Sequence, residues 1–354
     1  MEETMIDYIK QTSVKMEKNI SETSNQVNKL SRIFIEGKFE SAIIVASGSS
    51  YNAALMAQQS MIKFLKMPVV IVTSEQIMFE RNNYYKNPYY LAISQSGAST
   101  NTIESVEYLR RSGKAVGILT GNLNSKIAEA NSELVFDYGV GEEKVLFVTL
   151  GLSTLFEFLY LFAVQTAAEL NHVDRTIYVD YLRESINQLP AIIDSSVDFI
   201  NQNEIDFGNM NKTFVCGNDV HYGVAREGAL KLQETIHIPV MHYEVEEFLH
   251  GPDIQLTPDY SVFLIDDFEG NKRIHDIHNS LSRAINNRFL ITFDNVQNEK
   301  TIVIPRAAIA ELNPLHVVIF FQVLSAMMRD KLNLEEAHPF TKRFRNEIPI
   351  KIKR

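Results

Sequence analysis

The 354-residue chain has almost no cysteine; Cys216 is its single one. That excludes a disulfide framework and a cluster of thiolate metal ligands. A lone thiol suits a reducing compartment. A surplus of basic charge is missing too. The formal net charge is −10, which argues against a surface that tracks nucleic acid. An acidic chain can still hold a phosphate locally, because loop amides and helix N-termini supply positive potential. No secretory leader is legible, since Met1 is followed by Glu2 and Glu3 where basic residues would stand. No clean membrane span is present either. The longest apolar stretch, 145–168, is interrupted by Glu157 and Gln165 and reads as a core helix. The expectation is a soluble cytoplasmic protein that binds neither nucleic acid nor membrane. Both phosphate-binding signatures of nucleotide enzymes are absent: no Gly-Lys-Ser/Thr ends a Walker loop, and no Gly-x-Gly-x-x-Gly follows a strand.

What is present is ordinary globular material, with 45% hydrophobic and 22% charged residues. Residues 1–37 carry apolar positions at helical spacing (Met5, Ile9, Met16, Ile20, Val27, Leu30, Phe34) and read as helix. After Gly37 the pattern changes. Ala42-Ile43-Ile44-Val45-Ala46 is a continuous apolar run of the kind a buried parallel strand gives. Further strands are expected at 68–72, 89–93, 115–119 and 133–136, with helices near 52–65, 100–112 and 145–170. The second half repeats this order. A helix is expected at 177–203, then strands at 213–216, 239–241, 260–265, 288–293 and 300–304, with helices at 220–237 and 314–332. Gly48 precedes Pro68 much as Gly217 precedes Pro239, and an acid, Glu75 or Glu246, stands seven residues after each proline. Two copies of one open α/β unit follow, each with a parallel sheet. The expected division is 1–37 as an N-terminal helical segment and 38–170 as the first domain. Residues 171–210, around Pro190, form the connection. The second domain is 211–335, and 336–354 is a C-terminal tail.

Two loops invite an anion. Ser47-Gly48-Ser49-Ser50 lies between a strand and a helix, and Ser94-Gln95-Ser96-Gly97-Ala98-Ser99-Thr100 follows the third strand. Ligands of open α/β sheets bind at the carboxyl ends of the strands. Helix N-termini there offer amide donors, and the hydroxyls add more. A phosphate monoester suits both loops. Serine before a helix also serves simply as an N-cap.

The helix after Gly217 carries Glu227, Lys231 and Glu234 at i, i+4 and i+7, hence on one face. By spacing alone this is a salt-bridged stripe. Downstream, His250 precedes a Gly251-Pro252 turn. A carboxylate and an imidazole are what proton transfer beside a carbonyl requires.

These segments together resemble the SIS (sugar isomerase) family, most of all the isomerase domain of glucosamine-6-phosphate synthase and the related fructosamine-6-phosphate deglycases. Ser47-Gly48-Ser49-Ser50-Tyr51-Asn52 resembles the family's first phosphosugar loop. Ser94-Gln95-Ser96-Gly97 resembles its second, with Ser99 at a position where the family usually has threonine. Glu227-Gly228-Ala229-Leu230-Lys231-Leu232-Gln233-Glu234 resembles its Glu-Gly-Ala-Leu-Lys-Leu-Lys-Glu helix. Glu247-Phe248-Leu249-His250-Gly251-Pro252 resembles its Glu-Leu-Lys-His-Gly-Pro turn.

The resemblance implies an α/β fold of two tandem SIS subdomains, each a flavodoxin-like three-layer sandwich around a parallel sheet. It implies a sugar phosphate held by Ser47, Gly48, Ser49, Ser50, Ser94, Gln95, Ser96 and Ser99. It implies Glu234 as the base between C1 and C2, supported by Glu227 and Lys231, with His250 at ring opening. That histidine can come from the neighbouring subunit, so a homodimer is expected. No cofactor and no metal is called for. The chain departs from the pattern in places. It carries no glutaminase domain and no cysteine after Met1. Ala98 stands where the second loop usually continues with glutamate, and Thr149-Leu150 replaces a Thr-Lys pair, while Glu143 keeps an acidic position. The position of the synthase's C-terminal lysine falls on Phe344, with Lys342 and Arg343 shifted from it. The tail is therefore expected to close an altered pocket. The expected reaction is a deglycase or deaminase step on an amino-sugar 6-phosphate. A plain aldose–ketose phosphate isomerase and a sugar-phosphate sensor are the alternatives.

Overall fold

Five consecutive apolar residues cannot alternate between core and water, so the run at 42–46 needs cover on both faces. The computed structural model describes residues 3–79, 85–129, 134–266, 271–296, 298–334 and 339–352. In it that run is the fully buried strand β1 (Ser41–Ala46). Two compact units form. The first holds Val14–Asp180 and Glu335–Arg354, and the second holds Met1–Ser13 and Tyr181–Leu334.

The N-terminal segment is two helices, α1 (Met5–Glu22) and α2 (Ser24–Glu36), where one was expected. They part at Thr23, whose hydroxyl donates to the Asn19 carbonyl 2.8 Å away. After β1 come α3 (Ser49–Leu65), β2 (Val69–Thr73), α4 (Ser74–Phe79) and β3 (Pro88–Ile93). Then follow α5 (Thr100–Arg111), β4 (Val116–Thr120), β5 (Val135–Asp137) and α6 (Leu150–Glu169). The expected fifth strand began at Glu133, which lies outside the described residues. All four strand pairings are parallel, in the order β2-β1-β3-β4-β5. Alternate residues face opposite layers. Ile43, Val45, Tyr90, Ala92 and Ile118 pack with Val106 and Leu109 of α5. On the other face Tyr89 meets Phe34 of α2 edge-on at 5.6 Å, and Phe34 meets Phe162 of α6 at 5.5 Å. α6 is apolar all round because it is buried all round.

The second unit repeats the plan. α7 (Arg175–Gln202) leads into it and continues through Pro190, as the helix expected at 177–203 requires. Buried Leu182, Ile186, Leu189, Ile192 and Ile193 hold that helix on its core side, and such packing outweighs a single lost backbone bond. Next come α8 (Glu204–Gly208), β6 (Lys212–Gly217), α9 (Tyr222–Ile236), β7 (Val240–Tyr243) and α10 (Val245–Leu249). They are followed by β8 (Tyr260–Ile265), α11 (Lys272–Leu281), β9 (Asn287–Thr292), β10 (Thr301–Val303) and α12 (Asn313–Lys331). This sheet is again parallel, in the order β10-β9-β8-β6-β7. Read from β7, it is the same 2-1-3-4-5 order, that of flavodoxin-like folds. Phe214, Cys216, Val262 and Leu264 face α10 and α11, while Phe263 and Phe289 stack with Phe207 of α8 and lie against α12. The last helix, α13 (Pro339–Glu347), belongs to the first unit. α6 and α12 are long and apolar enough to cross a membrane, but 94% and 89% of their apolar windows are buried in the protein.

Candidate functional site

In a 2-1-3-4-5 sheet the connections leave in opposite directions after strands 1 and 3, which opens a crevice there. In the first unit those strands are β1 and β3, and both serine loops begin at their carboxyl ends. Gly48 is the N-cap of α3 and Ser99 that of α5, yet neither helix takes a side-chain cap bond from its N-cap residue. Ser99 thus does not play the simple capping role weighed for a serine before a helix.

The loops are bound to each other. Asn101 on α5 donates to the Ser47 hydroxyl at 3.0 Å, and Ser47 lies 3.5 Å from the Ser74 hydroxyl. Ser94 donates to Ser99 at 3.2 Å, and the Ser96 hydroxyl accepts from the Ala98 amide at 3.3 Å. Gly97 closes the second loop at φ +63°, and a Cβ there would fall 1.9 Å from the Ser125 hydroxyl oxygen. No other residue type fits this position. Ser49 and Ser50 open α3, partly buried.

Gln95 is held by Glu143, accepting no freedom of its own: its amide donates to Glu143 Oε2 at 2.9 Å. Glu143 also accepts from the backbone amides of Thr149, Leu150 and Gly151 at 2.8–3.1 Å, and from the Thr149 hydroxyl. Its carboxylate therefore occupies the positive end of α6. It orients Gln95 and leaves little of itself to meet a ligand. These bonds make Glu143 a bracket for the loop. Asn101 was missed altogether, because a helix-surface asparagine carries no signal without the loop it reaches.

The tail meets the same loop. The amide and hydroxyl of Thr100 both donate to the Ile350 carbonyl at 3.2 Å, and the Ile352 amide donates to Ala98 at 2.9 Å. Ser99 and Lys351 form an antiparallel bridge. Lys342 and Phe344 sit exposed on α13.

In the second unit, α9 brings three charged residues onto one side. Lys231 is 1% exposed and Glu227 0%, whereas the Glu234 side chain is 32% exposed. The Lys231 ammonium lies 2.5 Å from Glu234 Oε2 and 3.6 Å from Glu227 Oε1. The stripe is thus a buried cation flanked by two carboxylates, one of them open to solvent. α9 reaches this depth by close packing on α12. A Cβ at Gly228 would come 2.7 Å from the Phe321 ring, so the glycine lets the two helices approach. His250 is the exposed C-cap of α10, ahead of the turn at Gly251. No hydrogen bond or ion pair joins it to Glu234 among the described residues. Neighbouring Glu246 is paired bidentately with Arg273 at 2.9 and 3.0 Å, which lowers its carboxyl pKa.

The chain is similar in sequence and fold to known proteins. The family model of the SIS domain matches residues 38–165. The matched stretch contains β1 to β5 and both serine loops. The glutamine–fructose-6-phosphate aminotransferase (isomerizing) of Caldanaerobacter subterraneus subsp. tengcongensis is 26% identical to this chain over 325 residues. That is 88% of this chain and 50% of that protein. The chain spans about half the length, or less, of the curated relatives it matches. A Clostridium difficile 630 protein of known structure, named as a candidate phosphosugar isomerase, has a TM-score of 0.90 at 25% identity over 99% of both chains. The C-terminal domain of glucosamine-fructose-6-phosphate aminotransferase from Francisella tularensis shares the fold, with a TM-score of 0.75 and 21% identity over 93% of this chain and 97% of that one.

Proposed function

We propose that this chain is a phosphosugar isomerase of the deglycase type, acting on an amino-sugar (ketosamine) 6-phosphate. The observation that carries the reading is the charge arrangement on α9. A part-exposed carboxylate, Glu234, is held beside a buried ammonium, Lys231, which is itself held by buried Glu227. Such a carboxylate is fixed in orientation and open on one side, as a general base must be. The hydroxyl loops of the first unit are suited to a phosphate. The names of the similar proteins support the substrate class.

In this reading Glu234 takes the proton from C1 of a 1-amino-ketose phosphate while the C2 carbonyl oxygen is protonated, giving an enaminol. Return of a proton to C2 gives the C1 imine of an aldose. Water adds to that imine and the amine leaves, giving an aldose 6-phosphate. His250 is assigned the sugar oxygens and Lys342 the edge of the pocket. We assign the protein to the cytoplasm as a homodimer; a buried free thiol at Cys216, its pKa pushed up by burial, fits a reducing compartment.

The test is turnover of a small panel: fructosamine 6-phosphates, glucosamine 6-phosphate and fructose 6-phosphate. Amine and aldose phosphate are expected from the first, and Glu234→Gln should lower kcat by roughly 10²–10⁴-fold with substrate still bound. Interconversion of the nitrogen-free sugar alone would make it an aldose–ketose isomerase. Binding without turnover of any member would make it a sensor.

A further inference from the structure

The carboxyl end of the second sheet holds a group of side chains that the proposed proton transfer does not use. Asp266 directly follows β8, Asp294 stands just past β9, and His275 is in the first turns of α11. In this sheet β6 and β8 are the strands whose connections diverge, so Asp266 lies where α/β sheets bind ligands. Asp266 is fully buried. The Thr292 hydroxyl donates to its Oδ2 at 2.7 Å. His275 Nε2 lies 3.5 Å from that same Oδ2 and 3.3 Å from Asp294 Oδ2. Ligand atoms of all three residues lie within 4.8 Å of one another.

The spacing decides between two arrangements. A protonated imidazole bonded to a carboxylate would sit about 2.7–2.9 Å from it. Here the imidazole faces two carboxylates at longer range, and its buried Nε2 makes no hydrogen bond to either. Donor atoms each about 2.0–2.2 Å from one ion, at a tetrahedral angle, stand roughly 3.3–3.6 Å apart. The two distances from His275 Nε2, 3.5 and 3.3 Å, match that separation. The three groups converge on a common point instead of bonding to each other.

We infer that Asp266, His275 and Asp294 form a binding site for a divalent transition metal of the zinc or manganese type. One imidazole nitrogen and two carboxylates suit such ions, whereas magnesium and calcium favour oxygen ligands alone. Thr292 fixes the orientation of Asp266 as an outer-shell partner. The site rests on its own geometry and not on the deglycase reading.

The experiment is calorimetric titration of the chelator-stripped full chain with Zn²⁺ alone, and separately with Mn²⁺. One saturable equivalent is expected. His275→Ala and Asp294→Asn should each weaken it at least tenfold, and Thr292→Val about tenfold, as outer-shell losses do. His275 and Asp294 are each about one-fifth exposed at the side chain, so both variants should keep the wild-type circular dichroism spectrum. Metal should raise the melting temperature of the wild type and not of these variants. The wild-type chain loaded with Co²⁺ should also show the visible bands of a four-coordinate site, a readout independent of any variant. Absence of saturable binding, absence of those bands, or unchanged binding in both folded variants would overturn the site and leave a plain imidazole between two carboxylates.

Discussion

At the carboxyl end of the first sheet the polar groups are hydroxyls and amides: Ser47, Ser94, Ser96, Ser99, Gln95 and Asn101. At the carboxyl end of the second they are Asp266, Asp294 and His275, over a helix bearing Glu227, Lys231 and Glu234. The strand order is the same in both. One backbone plan thus carries two chemistries, an edge that donates hydrogen bonds and an edge rich in carboxylates. The difference lies in the loops and helices that follow the strands, where sequence is free to vary without disturbing the sheet.

The contrast extends into the cores. In the first unit Glu157 is fully buried, and burial raises its carboxyl pKa well above the ordinary value. In the second His221 is fully buried, and burial lowers its imidazole pKa to about 3. Each is neutral in the fold, so the two respond to pH in opposite directions.

Beyond the loss of rate in Glu234→Gln, the largest expected effect is on the second unit. Lys231→Met removes the cation between Glu227 and Glu234 and strands a buried charge. Breaking a buried pair this way costs about 3–5 kcal/mol, read as a lower denaturation midpoint. If stability is unchanged, the carboxylates are not held by that ammonium and the α9 half of the comparison fails.

A smaller effect is expected from the hydroxyl edge. Gly97→Ala places a methyl group against Ser125 at positive φ, an overpacking and strain of about 1–3 kcal/mol. Because the loop must shift, the variant should bind a sugar phosphate more weakly than wild type in titration. Unchanged affinity would mean that the second loop is not part of the phosphate site.

The smallest effects are the pH slopes. Protonated Glu157 contributes stability that is present below its unfolded pKa of 4.5 and is lost as pH rises toward its folded value. Neutral His221 contributes stability that is present above 6.5 and is lost as pH falls from 6.5 toward about 3. Glu157→Gln should therefore flatten the alkaline side of the stability profile, and His221→Phe the acid side. Denaturant titrations from pH 4 to 9 give both slopes; a pair of variants that leave both sides unchanged would show that these groups do not titrate on unfolding.

Much of the frame was legible from composition and period. The apolar runs at 42–46 and 260–265 became β1 and β8, and the doubled order of segments became two sheets of one topology. What the pattern mislaid was a break. Thr23, whose hydroxyl bonds the Asn19 carbonyl, marks a break in the first helix that the period did not show, whereas the expected helix across Pro190 is continuous because packing along α7 holds it. Short helices such as α4, α8, α10 and α11 were too brief to show a period. At the candidate site, motif spacing singled out the serine loops and α9, but the bonds of Glu143 and Asn101 were unseen. Both act through partners distant in the chain, and no local pattern encodes those partners.

The sequence by itself determined the class of fold, its duplication, and which residue types stand at the ends of which strands. Periodicity and turn residues suffice for that, since they are local. Only the tertiary structure decided that Lys231 is buried between two carboxylates, that Glu143 caps α6 and brackets Gln95, and that Asp266, His275 and Asp294 converge. Those facts depend on burial and on contacts between segments far apart in the chain, which packing alone brings together.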